Sequence, residues 1–353
     1  MTAEAGSALL TADFDYPLPE DLIASHPVGR RDESRLLVLD RSKGDMRDRH
    51  FRDLLEYLAE GDSLVVNDTR VFPARLRGRK PTGARVEVLL LRPLAEDPEA
   101  RLWQALVKPG GKLKPGREVE VGDGLRVVVE DSFEDGSRRV RLEGTGDPWQ
   151  LVERYGEMPL PPYIRRPGEA SDRQRYQTVY ARERGSVAAP TAGLHFTPAL
   201  LEQVEALGVS LVRVTLHVGV GTFRPVDAER VDEHQMHAER YSLTEAAARL
   251  LNRTRSGGRR VWAVGTTSAR TLETVAGSDG SFAAGEGWTD LFIRPPYRFR
   301  AVDGLLTNFH LPRSSLLMLV SALAGRERVL EAYRHAVDRR YRFYSYGDAM
   351  LVT

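Results

Sequence analysis

The sequence predicts an α/β protein whose mixed-sheet main domain carries an inserted small β-barrel domain. Two observations lead there. On both flanks of the chain helical and strand patterns alternate, which calls for a sheet with at least some parallel neighbours. Between Pro73 and Gly146 short strand-like runs instead follow one another, punctuated by Gly, Pro and Asp and nearly devoid of helical periodicity. That is the pattern of a small barrel or sandwich. The expected division is 1–72 for the first part of the main domain, 73–155 for the barrel and 156–353 for the second part.

The elements follow in order. "SRLLVLD" (Ser34–Asp40) reads as a strand, "HFRDLLEYLAEG" (His50–Gly61) as a helix with a Gly stop, and "DSLVVNDTRV" (Asp62–Val71) as a second strand. The barrel strands are "ARVEVLLLRPL", "RLWQALVKPG", "REVEVGDG", "LRVVVEDS" and "RRVRLEG", with "KPGGKLKPGREV" as a loop. After the Pro-rich, extended "GEMPLPPYIRRPGE" come the helix "PALLEQVEALG" and the strand "VSLVRVTLHVGVGTF". The helix "TEAAARLLNRTRSGG", the strand "RRVWAVGTT" and the helix start "SARTLETVAG" complete the alternation. "TNFHLPRSSLLMLVSALAG" (Thr307–Gly325) begins polar and becomes a buried helix from Leu316.

Composition narrows the chemistry. The chain of 353 residues is long enough for two domains, and its 41% hydrophobic content supports a real core. It has no cysteine, which excludes disulfides, thiolate catalysis and Cys-based zinc or iron–sulfur sites. A metal would have to rest on His, Asp or Glu. No apolar run is long enough to predict a transmembrane helix, and the acidic N-terminus is unlike a signal peptide, so the cytoplasm is the default. Net charge is +1, but 46 of the 51 basic residues are arginine, the better residue for phosphate forks and base stacking. Genome composition or thermal adaptation produces the same bias.

Three strand ends are unusually polar or small: Asn67-Asp68-Thr69-Arg70, Gly219-Val220-Gly221-Thr222, and Gly265-Thr266-Thr267-Ser268 with Arg270 just beyond. In open α/β sheets ligands gather at such ends. Gly-Thr-Thr-Ser opening a helix is either an anion site or an ordinary cap. Neither it nor "GVGT" completes a P-loop or a dinucleotide fingerprint. His234 and His237 are three apart, a spacing that suits a metal if helical, and His217 offers a third ligand. The alternative function is therefore a metal-dependent hydrolase on His217, His234 and His237, although HExxH is absent. Asn308 and His310 lead into the buried helix and could face a ligand. "RRYRFYSYGDAML" interleaves arginine and aromatics, either as a base-stacking segment or as a strand with one buried face. That segment keeps open a second alternative, a non-catalytic RNA-binding protein. "GSVAAPTAGLHFT" (Gly185–Thr197) is nearly all small residues up to His195, which allows close approach of either core or ligand.

Together "YQTVYARERGSVAAPTAGLHFT", "LHVGVGTFRPV", "EHQMHAE", "VGTTSARTLE", "TDLFIRPPYRF", "VDGLLTNFHLPRSSLLMLVSALAG" and "YRFYSYGDAML" resemble the S-adenosylmethionine:tRNA ribosyltransferase-isomerase family of queuosine biosynthesis. "FDYPLPEDLIASHPVGRRDESRLLVLD" and "LVVNDTRVFPARLRG" match as well, so the resemblance spans nearly the whole chain. Ser315 stands where the family pattern has threonine, which keeps the hydroxyl.

The resemblance implies an α/β domain with an inserted barrel and no metal requirement. It implies transfer of the ribosyl part of S-adenosylmethionine, a consumed co-substrate, onto 7-aminomethyl-7-deazaguanine at the tRNA wobble position. The product would be epoxyqueuosine, with adenine and methionine released. Several steps need proton carriers, and the motif-borne candidates are His195, His310, His217, His237, Asp303 and Asp348, with His195 expected to face the nucleoside. Substrate contacts are expected from Thr191, Gly193, Gly219, Gly221, Thr222, Gly265, Thr266, Thr267, Ser268 and Asn308, with Arg270 near the methionine carboxylate or ribose. Arg165, Arg166, Arg294, Arg298 and Arg342, with Tyr163 and Tyr344, are expected to meet the tRNA anticodon loop.

Overall fold

A computed structural model describes residues 9–219 and 226–353. The first segment supplies β1 (Arg35–Leu39), β2 (Met46–His50), β3 (Ser63–Asn67) and β4 (Thr69–Val71). The barrel follows as β5 (Arg75–Arg79), β6 (Arg85–Pro93), β7 (Leu102–Lys108), β8 (Glu118–Gly122), β9 (Leu125–Ser132) and β10 (Arg138–Glu143). After it come α1 (Pro148–Tyr155), α2 (Asp172–Arg175), β11 (Glu183–Ser186), α3 (Pro198–Ala206), β12 (Ser210–Leu216), β13 (Glu239–Leu243) and α4 (Glu245–Ser256). The last group is β14 (Val261–Val264), α5 (Thr266–Val275), β15 (Gly285–Thr289), β16 (Gly304–Asn308), α6 (Ser315–Ala324), α7 (Arg326–Asp338) and β17 (Ala349–Val352).

The main sheet has nine strands in the order β15-β13-β12-β3-β14-β16-β17-β1-β2. Its middle is parallel, from β12 through β3 and β14 to β16, while β17 runs antiparallel to β16 and parallel to β1. Side chains alternate between two cores, as the twofold period of a strand requires. Leu37, Leu39 and Val65 face one core with residues of α4, α5, α6 and α7. Leu36, Val38, Leu64 and Val66 face the other with Phe51, Phe196 and Leu200.

The barrel is closed and antiparallel, in the order β10-β7-β6-β5-β8-β9. Alternate residues Leu76, Val88, Leu90, Val127, Val129, Val140 and Leu142 fill it, with Trp103 fully buried among them. Entry and exit touch: Arg75 and Glu157 exchange backbone hydrogen bonds at 3.1 and 2.9 Å. A Cβ on Gly156 would lie 1.8 Å from the Pro73 carbonyl, so only glycine fits that crossing.

Two local expectations are corrected. Phe51–Tyr57 winds as a 3-10 helix, not an α-helix, because its inward residues Phe51 and Leu54 are three apart and 3-10 winding stacks that spacing. In "RRYRFYSYGDAML" only Ala349–Val352 is a strand, and the residues before it turn. Among the described residues no helix is long and apolar enough to cross a membrane.

Candidate active site

Because β12, β3, β14 and β16 run parallel, their carboxyl ends share one edge, and an open cleft lies there. Gly265, at the end of β14, has φ 87° and ψ 153°, a conformation that only glycine adopts freely, and it turns the strand straight into α5. Among the described residues no side chain caps α5 or takes up its first amides, and Thr266 and Thr267 line the cleft. An uncapped helix start of this kind favours a carboxylate or phosphate. Asn67, ending β3, donates from Nδ2 to Thr267 Oγ1 at 3.3 Å and holds that turn. Ser268 faces inward, donating to the Val264 carbonyl at 2.8 Å. The start of α6, capped by Ser314, reaches the same cleft.

His310 is the histidine that lines the cleft. Its Nε2 shares a 2.7 Å hydrogen bond with Thr307 Oγ1, and Nδ1 has no partner among the described residues. Burial pushes its pKa down to about 3, so the ring is neutral near pH 7. The opposite wall carries Tyr163 and Tyr344, ring centroids 4.6 Å apart, with the Tyr163 hydroxyl 2.5 Å from Ser345 Oγ. Tyr344 holds φ 71°, a left-handed backbone that costs a bulky residue strain. Thr191 lines the cleft with Ala189, Pro190 and Ala192.

His195 is elsewhere, against the expectation that it faces the nucleoside. It is 4% exposed, stacked on Phe51 at 4.9 Å, and lies behind Asn308 without lining the cleft. Ser34 Oγ sits 2.7 Å from its Nδ1, and Asn308 Nδ2 donates to its Nε2 at 3.2 Å. Burial, then Arg31 and Arg342, push its pKa down to about 3. Asp348 is likewise buried: its carboxylate accepts the backbone N–H groups of Arg35 and Arg342, each at 2.8 Å. Burial raises its pKa.

Other sequence candidates occupy other surroundings. A Cβ on Gly193 would fall 2.0 Å from the Tyr180 hydroxyl, so its small size serves packing. Arg270 turns inward, paired with Glu239 and donating to the carbonyls of Leu291 at 3.1 Å and Thr289 at 3.3 Å. Gly219 donates its N–H to Glu239 Oε1 at 2.9 Å, and Gly221 and Thr222 lie outside the described residues. His217 bonds Thr69 Oγ1 at 2.9 Å in a second, open groove beside Asp68, Arg213 and Arg240. Asp303 clamps Arg255 and the Val261 N–H.

His234 and His237 follow a single 3-10 turn and stand on no helix; His234 packs on Phe292 and His237 is exposed. Among the described residues no group of three His, Asp or Glu is arranged to hold a metal, so the hydrolase alternative loses its ligand set. Arg166 is held by Asp172 through two 2.7 Å bonds, and Arg342 donates to the His26 carbonyl. Arg165 and Arg298 are exposed, and Arg294 is half-buried over the Phe292 ring. Thr307 and Ser345 escaped the sequence reading, although each adjoins a residue it singled out.

Fold and cleft together define an α/β protein with a polar ligand site at the carboxyl edge of its sheet and a β-barrel inserted beside it. The comparisons give the family. The model of the queuosine biosynthesis protein family matches residues 11–352. The S-adenosylmethionine:tRNA ribosyltransferase-isomerase of Symbiobacterium thermophilum is 56% identical over 343 residues, covering 97% of this chain and 99% of that one. Its counterpart from Syntrophomonas wolfei is 56% identical over 342 residues, 96% of each chain. The crystal structure of an S-adenosylmethionine tRNA ribosyltransferase from Thermotoga maritima is 41% identical with TM-score 0.55, covering 97% of this chain and 100% of that one. The chain belongs to the queuosine biosynthesis protein family.

Proposed function

We propose that this protein is a transferase-isomerase acting in queuosine biosynthesis on tRNA. It moves the ribosyl part of S-adenosylmethionine onto 7-aminomethyl-7-deazaguanine at the wobble position. Epoxyqueuosine forms, and adenine and methionine leave. The observation that carries this reading is the meeting of an uncapped helix start, α5, with the aromatic pair Tyr163 and Tyr344 in one cleft. The co-substrate has matching parts, a carboxylate at one end and a flat base at the other.

The sulfonium supplies the reactivity by acidifying the ribose C5′ protons. The protein positions the groups and moves protons. The amides of Thr266 and Thr267 hold the methionine carboxylate, and the tyrosine rings flank a base. His310 is the proton carrier we assign, because it lines the cleft and its Nδ1 has no partner among the described residues. The attacking amine must also be neutral, and leaving water lowers its pKa. The anticodon loop presents unpaired bases, one of which turns out of the stack into the cleft. The exposed Arg165 and Arg298, with Arg294, are left to meet phosphate.

The test is turnover. Purified protein, S-adenosylmethionine and an anticodon stem-loop carrying the modified base should release adenine and methionine and raise the RNA mass. Folded protein that releases no adenine would defeat the proposal.

A further inference from the structure

Asn308 ends β16 and lines the cleft, and the two ends of its amide are unequally used. Nδ2 donates to His195 Nε2 and to the Tyr344 carbonyl, both at 3.2 Å, and to the Asp348 carbonyl at 3.4 Å. Oδ1 is buried with no hydrogen-bond partner among the described residues. A flipped amide would aim that oxygen at the same acceptors, so the surroundings fix the orientation.

His195 takes part through its tautomer. The Ser34 hydroxyl donates to the Arg31 carbonyl at 3.2 Å, which leaves its oxygen to accept Nδ1–H of His195 at 2.7 Å. Nε2 then carries the lone pair that Asn308 needs. Stacking on Phe51 and near-complete burial hold the ring in place.

A buried carbonyl oxygen lacking a donor is unfavourable and uncommon. In a residue that lines a ligand cleft, a ligand N–H would satisfy it. We propose that Asn308 Oδ1 accepts an N–H from the substrate, and that His195 is the positioning residue that aims it through the Ser34–His195–Asn308 chain. The inference rests on the proposed function, which brings such donors on both substrates: the adenine amine and methionine ammonium of the co-substrate, and the aminomethyl, ring amine and ring N–H groups of the RNA base.

The experiment separates them. Binding of S-adenosylmethionine is measured by calorimetry beside two analogues, one with oxygen in place of the adenine amine and one without the methionine amine. RNA KM is measured by turnover. Asn308→Ala should weaken the affected ligand about tenfold and erase the wild-type preference for S-adenosylmethionine over the matching analogue. If the donor is on the RNA base, RNA KM rises and the co-substrate affinities stay. His195→Phe should reproduce the loss, His195→Gln should recover part of it, and the double variant should lose nothing further. Additive losses would overturn the role of His195. Unchanged affinities and KM in Asn308→Ala would overturn the acceptor. Thermal midpoints check folding, and Asn308→Ser replaces any alanine variant that does not fold. Wild-type protein that binds the co-substrate but releases no adenine would defeat the proposed function while leaving the binding comparison intact.

Discussion

Arg270 and Glu239 form an ion pair inside the protein, 4% and 6% exposed, and the second carboxylate oxygen of Glu239 accepts the Gly219 N–H. The guanidinium thus ties α5 to β13 and, through the carboxylate, to the segment leaving β12. Arg270→Met would take the cation away from a buried carboxylate, which costs about 3–5 kcal/mol. Urea unfolding should show that loss as a lower midpoint. A variant as stable as wild type would show that the pair adds no net stability.

Gly265→Ala should affect both stability and binding. The new Cβ would meet only ordinary contacts, 3.5 Å from Thr267 Oγ1 and 3.7 Å from Ala192 Cβ. The cost comes from the backbone at φ 87°, about 1–3 kcal/mol. Relaxing it would turn the first amides of α5 away from the cleft. The measurement is KM for S-adenosylmethionine, which should rise, beside a lowered thermal midpoint.

Acid should weaken the fold through two histidines. His195 and His310 are lowered from 6.5 to about 3 by burial, so between those values the unfolded chain binds protons that the folded one refuses. Their contribution is complete above pH 6.5 and is lost as pH falls toward 3, at about 1.4 kcal/mol per pH unit for each. Unfolding free energies across that window should rise with pH, and His195→Phe should flatten the slope. A slope unchanged by His195→Phe would mean that the ring is protonated in the native state.

Gly193→Ala tests whether smallness there serves packing. Its Cβ would need the space of the Tyr180 hydroxyl, which is buried and has no hydrogen-bond partner among the described residues. Overpacking of this kind costs about 1–3 kcal/mol, and Tyr180→Phe in the same chain should restore part of it. No recovery in the double variant would show that the ring cannot shift.

The barrel was legible because short strand-like runs follow one another with Gly, Pro and Asp between them, as Asp123-Gly124 stands between β8 and β9. The glycine turn into α5 was legible too, because a strand, a glycine and a run of hydroxyls leave few other readings. What stayed hidden depends on long-range pairing. Nothing local in "SRLLVLD" says that the Arg35 N–H donates to Asp348, 313 residues away. The same gap misplaced His195: small neighbours signal close approach, but not what approaches, and here it is Phe51 and Ser34. Asn308, named only as a contact, is the member of that pair on the cleft wall. Arg270 was misread because an arginine after an anion-like turn looks the same in sequence whether its partner is a ligand or an internal carboxylate.

The place of β17, between β16 and β1, has a consequence for how the chain reaches its native state. Among the described residues, the half of the sheet holding β1 and β2 joins the half holding β3, β14 and β16 only through Ala349–Val352. Until that strand docks, β1 and β16 both present open edges, and loop closure over most of the chain makes docking slow. The barrel, whose strands are all near neighbours in sequence, has no such wait. Refolding should therefore proceed in two phases, with early protection of barrel amides from hydrogen exchange and late protection of β1, and the exposed edges should make the intermediate prone to self-association.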